Sequence, residues 1–253
     1  MRAARVSAII VTCDRPTLLA DALRSVAAQS LRPIEVRLAD DGDVPALDSL
    51  SDLPLLELTA CLVRAGQAAA ARNEAASGAS GDVLAFLDDD DRWRPDHLAG
   101  LVPAFEDPEV GLAWRDSVVI RERIDEDGSR NEIERATIAR DWDDALMRTD
   151  DYLPPSSFAI RRSVFESLGG FDTSFRYSED WDLVLRVAAV SRVRRMPGVG
   201  AEVRLREQGN ASATRDAERL DCLARLSARH GLPTLSPKTF WEVAQAVAKA
   251  PPA

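Results

Sequence analysis

Three apolar runs come early in the chain: VSAIIVT at 6–12, IEVRLA at 34–39 and VLAFL at 83–87. Continuous runs of this kind fit strands covered on both faces. Between the first two, PTLLADALRSVAAQS carries Leu19, Ala22, Leu23 and Val26 at i, i+3, i+4 and i+7, which predicts a helix with one buried stripe. Asp14, just ahead of Pro16, is the expected start signal of that helix. The third run follows QAAAARNEAASGASGD, alanine-rich and then broken by glycine, which predicts a second helix and its stop. Strand alternating with helix predicts an α/β fold with a mostly parallel central sheet flanked by helices.

The pattern changes after residue 110. GLAWRDSVVI and the stretch around ERIDEDGSRNEIER predict a strand and a hairpin turning at Asp127-Gly128. Then come a short helix at DWDDALMR, a loop into a strand at YLPPSSFAIRR, a helix at SVFESLGGF ending on Gly169-Gly170, and a helix at EDWDLVLRVAAV. Two amphipathic helices close the chain, at about 214–229 and about 238–249, the second with Phe240, Val243, Ala244 and Val247 on one face.

Composition narrows the function classes. With 32 basic and 42 acidic residues the net charge is −10, so no basic surplus exists to neutralise nucleic-acid phosphates. Cys13, Cys61 and Cys222 are widely spaced, without the pairing that zinc or a disulfide framework requires, which fits a reducing cytoplasm. The N-terminal apolar run is too short to span a membrane and lacks a cleavage-like region. His97 and His230 stand apart from any motif, and Trp93 and Trp181 read as packing anchors.

The acidic residues are not scattered. The second strand runs out into Asp40-Asp41-Gly42-Asp43 and the third into Asp88 to Asp91. In an open parallel sheet the C-terminal strand ends share one rim, where ligands bind. Hard cations such as Mg²⁺ or Mn²⁺ take one or two carboxylates together with substrate phosphates, which would offset the repulsion within FLDDDDRW. On an extended segment Asp88 and Asp90 would face one side, Asp89 and Asp91 the other. Each cluster alone is equally at home as a solvated loop or a helix cap, as are Glu179 and Asp180 ahead of their helix.

Together these stretches resemble the family 2 glycosyltransferases, inverting nucleotide-sugar-dependent enzymes of the GT-A fold. The likeness covers roughly residues 5–210: VSAIIVTCDRPTLLADALRSVAAQS, IEVRLADDGD, AARNEAASGASGDVLAFLDDDDRWRPDHL, FAIRRSVFESLGGFD and FRYSEDWDLVLRVA. The resemblance implies that Asp41, with Asp40 beside it, contacts the base or ribose. Thr12, Asp14, Arg72 and Asp89 join the donor-binding set. Asp88-x-Asp90 matches the D-x-D motif, with Asp90 the candidate ligand of Mn²⁺ or Mg²⁺ and Asp88 shared between metal and sugar or ribose. Asp180 matches the general base, and Glu179 binds the acceptor or orients its partner. Such a base is expected to have its pKa raised by burial or by Glu179. Cys13 stands where the family commonly has tyrosine, and Gln208 lies near where many relatives carry a histidine.

The expected organisation is a catalytic domain at 1–212, with a nucleotide-binding half to about 105 and an acceptor half beyond it, then a helical extension at 213–253. The expected partners are a nucleotide-sugar donor and a soluble acceptor, with a homodimer through the C-terminal helices as a further option. A GT-A-like module that binds nucleotide sugars without turnover is the competing class, separated from the enzyme by an assay for nucleotide release. A phosphatase would need its aspartates after the first strand, and a nucleotidyltransferase a glycine-rich phosphate loop there.

Overall fold

The computed structural model describes residues 3–43, 58–125, 129–206 and 217–250. The expected turn at Asp127-Gly128 and the position of Gln208 fall outside them. Strand β1 (Val6–Thr12) pairs in parallel with β2 (Glu35–Asp40) and β4 (Val83–Asp88), and β3 (Leu58–Leu62) adds in parallel beyond β2. Successive β1 side chains feed opposite layers, as a pleated strand requires. Ile9 packs in one core cluster with Ala71 and Ala75 of α2 (Ala68–Ser77). Ala8 and Ile10 pack in the other with Leu19, Leu23 and Val26 of α1 (Pro16–Ala27).

The second half of the sheet is antiparallel at its joins, so the sheet as a whole is mixed. β4 meets β8 (Phe158–Arg161), and β8 meets the first part of β6 (Val110–Ile124). β7 (Arg130–Ile138) replaces β8 beside the later part of β6, while β9 (Arg192–Arg206) runs parallel to β6 and pairs antiparallel with the two-residue β5 (Arg92–Trp93). The hydrophobic pattern does not single out β3, β5 or β9. β3 is only half buried, and β9 alternates arginines with apolar residues around Pro197-Gly198, where its register on β6 slips.

Shorter helices α3 (His97–Leu101), α4 (Asp144–Met147) and α5 (Arg162–Ser167) join these strands, and α6 (Glu179–Val190) follows the expected span. Helices α7 (Ala217–His230) and α8 (Phe240–Lys249) bury Cys222, Leu223, Leu226, Val243, Ala244 and Val247 in the same core cluster as α2 and α6, so their apolar faces are used within the chain. Thr239 and Glu242 form a reciprocal capping box at the start of α8. Buried Asp182 of α6 takes Arg229 and His230 at 3.0 and 2.9 Å and pins α7 to α6.

Two local expectations are corrected. Asp14 does not cap α1: Arg15 is the cap residue, and its side chain makes no capping bond to the helix, while the Asp14 carboxylate accepts the Asp43 N–H at 2.9 Å. Gly42 permits that approach, because a Cβ there would lie 2.5 Å from the Asp14 carboxylate. Nor is the segment after Asp88 extended. It turns at Asp89-Asp90, closed by a bond from the Asp91 N–H to the Asp88 carbonyl.

Candidate active site

The register sets Thr12 opposite Asp40 and Val11 opposite Asp88, so three parallel strands end side by side on one rim. From that rim open two adjoining cavities, of about 830 and 240 Å³, which share Val11, Cys13, Arg15 and Ala68. The larger holds Arg72, Asp88 to Asp91, Glu179 and Asp180; the smaller is lined by Thr12, Asp41, Gly66 and Ala71. Asp14 and Asp40 line neither: Asp40 is buried and folds its carboxylate onto the Gly42 N–H, holding the turn beneath the rim. The Asp41 carboxylate accepts from the Ala65 and Gly66 N–H groups at 2.6 and 3.1 Å and so fixes the loop walling the smaller cavity.

The four carboxylates of 88–91 have different surroundings. Asp89 and Asp91 are buried: Asp89 accepts from the Thr12 hydroxyl at 2.6 Å, and Asp91 from the Ser156 hydroxyl at 2.6 Å and the Arg204 N–H at 2.8 Å. Asp88 and Asp90 remain partly exposed, with 27% and 19% of their side-chain surface accessible. Arg15 pairs with Asp89 and Asp90, Arg206 with Asp90, and Arg72 with Asp88. Burial pushes the Asp89 carboxyl up to about 7 against the pull of Arg15, and raises Asp90 and Asp91 as well.

Across the larger cavity stand Glu179 and Asp180, in the first turn of α6. Ser178 ahead of them adopts a left-handed backbone with φ 64°, and Asp14, with φ 53°, is the other non-glycine residue with positive φ among those described. Both strained turns flank the site, where such conformations concentrate. Arg72, rooted in α2 and buried, donates to Asp88 at 2.6 Å and to Glu179 at 2.7 Å, joining the two walls. Burial alone would weaken its guanidinium, but Asp88 and Glu179 outweigh that and bind the proton more tightly than usual. Burial, then Asp180, pushes Glu179 up to about 7; burial likewise raises Asp180, with Arg72 opposing.

Asp151, on the segment after α4, lines the same cavity and is raised well above the usual carboxylate range by burial and by Asp180. Sequence reasoning missed it, along with Asp150, Lys238, Arg15 and Arg206. The pair Asp150-Asp151 repeats the acid doublets at Asp40-Asp41 and Glu179-Asp180, the one signal available in the sequence. Among the described residues no group of three His, Cys, Asp or Glu side chains is arranged to hold a metal, and no helix is long and apolar enough to cross a membrane.

Comparison with known proteins gives a consistent relationship. The family model for glycosyl transferase family 2 matches residues 7–169. The uncharacterized glycosyltransferase YwdF of Bacillus subtilis is 31% identical over 93% of this chain and 88% of its own length. Among solved structures, S. aureus TarS 1–349 in complex with UDP-GlcNAc aligns over 96% of this chain and 71% of its own, with TM-score 0.67 and 15% identity. Of another S. aureus TarS 1–349 structure the chain spans 64% of the length, with 88% of its own residues aligned. The mannosyltransferase PcManGT from Pyrobaculum calidifontis, in complex with GDP-Man and Mn²⁺, aligns over 98% of this chain and 70% of its own, with TM-score 0.62 and 20% identity. With its fold matched by these GT-A structures and its sequence by the family model and YwdF, the chain belongs to glycosyl transferase family 2.

Proposed function

We propose that this family 2 glycosyltransferase is a metal-dependent, inverting enzyme moving a sugar from a nucleotide donor to a hydroxyl of a soluble acceptor, with Asp180 as general base. The observation that carries this reading is the Arg72 bridge, which ties Asp88 on the donor rim to Glu179 beside Asp180 across one cavity. An in-line displacement needs a base on one side of the anomeric carbon and leaving-group stabilisation on the other. The smaller cavity, with Asp41 and Thr12, would take the nucleoside, and the D-x-D carboxylates would lie toward the diphosphate. Residues 1–212 would then form the catalytic domain and 213–253 its helical extension.

The donor set suits a hard cation. Asp88 and Asp90 offer partly exposed carboxylate oxygens, and Mg²⁺ or Mn²⁺ is ordinarily held by one or two carboxylates plus substrate phosphates. When bound, the ion would neutralise charge developing on the departing diphosphate. Arg15 and Arg206 would shift their pairing from Asp90 toward the phosphates. Glu179, held by Arg72, would orient the acceptor while Asp180 takes its proton. The complexes of TarS with UDP-GlcNAc and of PcManGT with GDP-Man and Mn²⁺ support this reading.

Donor hydrolysis followed by proton NMR tests it without knowledge of the acceptor. UDP-GlcNAc and GDP-mannose both carry an α-linked sugar, so an inverting enzyme with Mn²⁺ should release the β anomer first. Initial release of the α anomer would overturn inversion, and turnover undiminished by EDTA would overturn the metal requirement.

A further inference from the structure

The larger cavity is also lined by apolar residues outside the motif-bearing half, which share one core cluster: Leu205 at the end of β9, Leu223 of α7, and Phe240 and Val243 of α8. Tyr177, three residues before Asp180, joins this wall. Leu223 and Val243 are buried, so the wall is backed by core; Tyr177, Leu205 and Phe240 are only half buried and present apolar surface to the cavity. The cations contributed from these segments are already engaged. Lys238 pairs with Asp150, Arg219 donates to the Lys238 carbonyl at 2.6 Å, and Arg176 lies 3.6 Å from Glu218. Asp151, Glu179 and Asp180 line the same cavity, and of the three Glu179 is paired with Arg72.

We infer that this wall is the acceptor subsite, and that it takes an uncharged acceptor whose non-reacting body is apolar, an aryl or short alkyl group seated against Tyr177, Leu205 and Phe240. The inference rests on the transferase reading above for the identity of the reacting hydroxyl. Charge sets the class, because an anionic acceptor would have to enter beside Asp180, which must be ionised to act as the base, while Lys238 and Arg176 are paired with Asp150 and Glu218. Surface sets the body, because a rigid apolar wall gains affinity by removing aryl or alkyl area from water. In this arrangement the C-terminal helices determine which acceptor is used, while the parallel half of the sheet determines the donor.

A matched pair of ligands tests the subsite. 4-Nitrophenyl β-D-glucopyranoside and methyl β-D-glucopyranoside offer the same sugar hydroxyls and differ in the aryl group. Calorimetric titration of the full chain should show the aryl glycoside binding about tenfold tighter or more. Phe240→Ala and Leu205→Thr, each checked for an intact melting transition, should cut that preference to about threefold or less. Equal affinity for the two glycosides, a preference that survives both substitutions, or tighter binding of glucose 6-phosphate would overturn the inference. A parallel titration with UDP and GDP plus Mn²⁺ separates the two claims. Aryl preference without nucleotide binding supports the apolar wall and sinks the transferase reading; nucleotide binding without aryl preference sinks the subsite alone.

Discussion

On the rim where β1, β2 and β4 end, each carboxylate of the 88–91 run meets a partner supplied by another element: Arg72 for Asp88, Thr12 and Arg15 for Asp89, Arg15 and Arg206 for Asp90, Ser156 and the Arg204 N–H for Asp91. On the base-bearing wall, Glu179 has Arg72, while Asp180 accepts from its neighbour's Trp181 N–H and Asp151 from the Leu153 N–H. Among the described residues neither Asp180 nor Asp151 has an arginine or lysine ion pair. Three of the four rim carboxylates thus have an arginine partner, whereas of these three on the opposite wall only Glu179 does. Burial raises carboxyls on both walls, Asp89 and Glu179 each to about 7, so the two walls differ in their partners and not in the direction of the shift. Among the described residues Arg72 alone pairs with carboxylates of both walls.

The largest effect should come from the wall with fewer cation partners. Asp180→Asn should lower kcat by about 10³-fold, within the range for loss of a general base, while nucleotide affinity stays near that of the parent. A coupled assay for nucleotide release, paired with nucleotide titration, reads both quantities; turnover close to the parent's would show that Asp180 is not the base. Removing the shared cation comes next. Arg72→Met should cost about 3 kcal/mol in urea-induced unfolding, because it leaves Asp88 and Glu179 facing each other in a buried setting without their partner. A loss below about 1 kcal/mol would mean that solvent already screens the pair.

The pH dependence sharpens the contrast further. Asp89 and Glu179 have folded pKa values of about 7, above those of free carboxyls, so the folded state holds protons that the unfolded chain has released. Their contribution to stability is fully present below the unfolded carboxyl range near pH 4 and is lost as pH rises toward 7. The melting temperature of the metal-free, nucleotide-free protein should thus fall between about pH 5 and 8, and Asp89→Asn should flatten part of that fall. Turnover should move the other way, rising with pH as Asp180, whose carboxyl burial holds above its usual range, ionises. The smallest effect belongs to the scaffold of the C-terminal helices. Thr239→Ala removes the capping box of α8 and should cost about 1 kcal/mol, read by thermal melting.

The same contrast governs what could be read in advance. The rim was legible because strand runs buried on both faces are continuous in sequence, and the residue after each run lands on the shared edge. Glu179-Asp180 was legible because α6 has a periodic apolar stripe that dates its first turn. Arg15 and Arg206 were not, since an arginine's partner depends on where a long side chain reaches across elements 75 and 116 residues apart in sequence. Asp151 sits in an irregular segment with no period to orient it, and β9 hides its strand character behind alternating arginines and a proline. Asp14 misled for a related reason: its spacing to Pro16 fits a cap, but its left-handed backbone turns the carboxylate to Asp43 instead.

One measurement addresses the central claim that the rim is a metal-assisted nucleotide site joined to the base. The full chain is melted with UDP, GDP, dTDP and CDP, each with and without Mn²⁺, and the panel is repeated with Asp90→Ala. The account predicts that one nucleotide raises the melting temperature by about 5 °C or more at saturating concentration, that the rise requires Mn²⁺, and that Asp90→Ala removes it. No rise with any nucleotide, or one that persists undiminished in Asp90→Ala and without Mn²⁺, would contradict it.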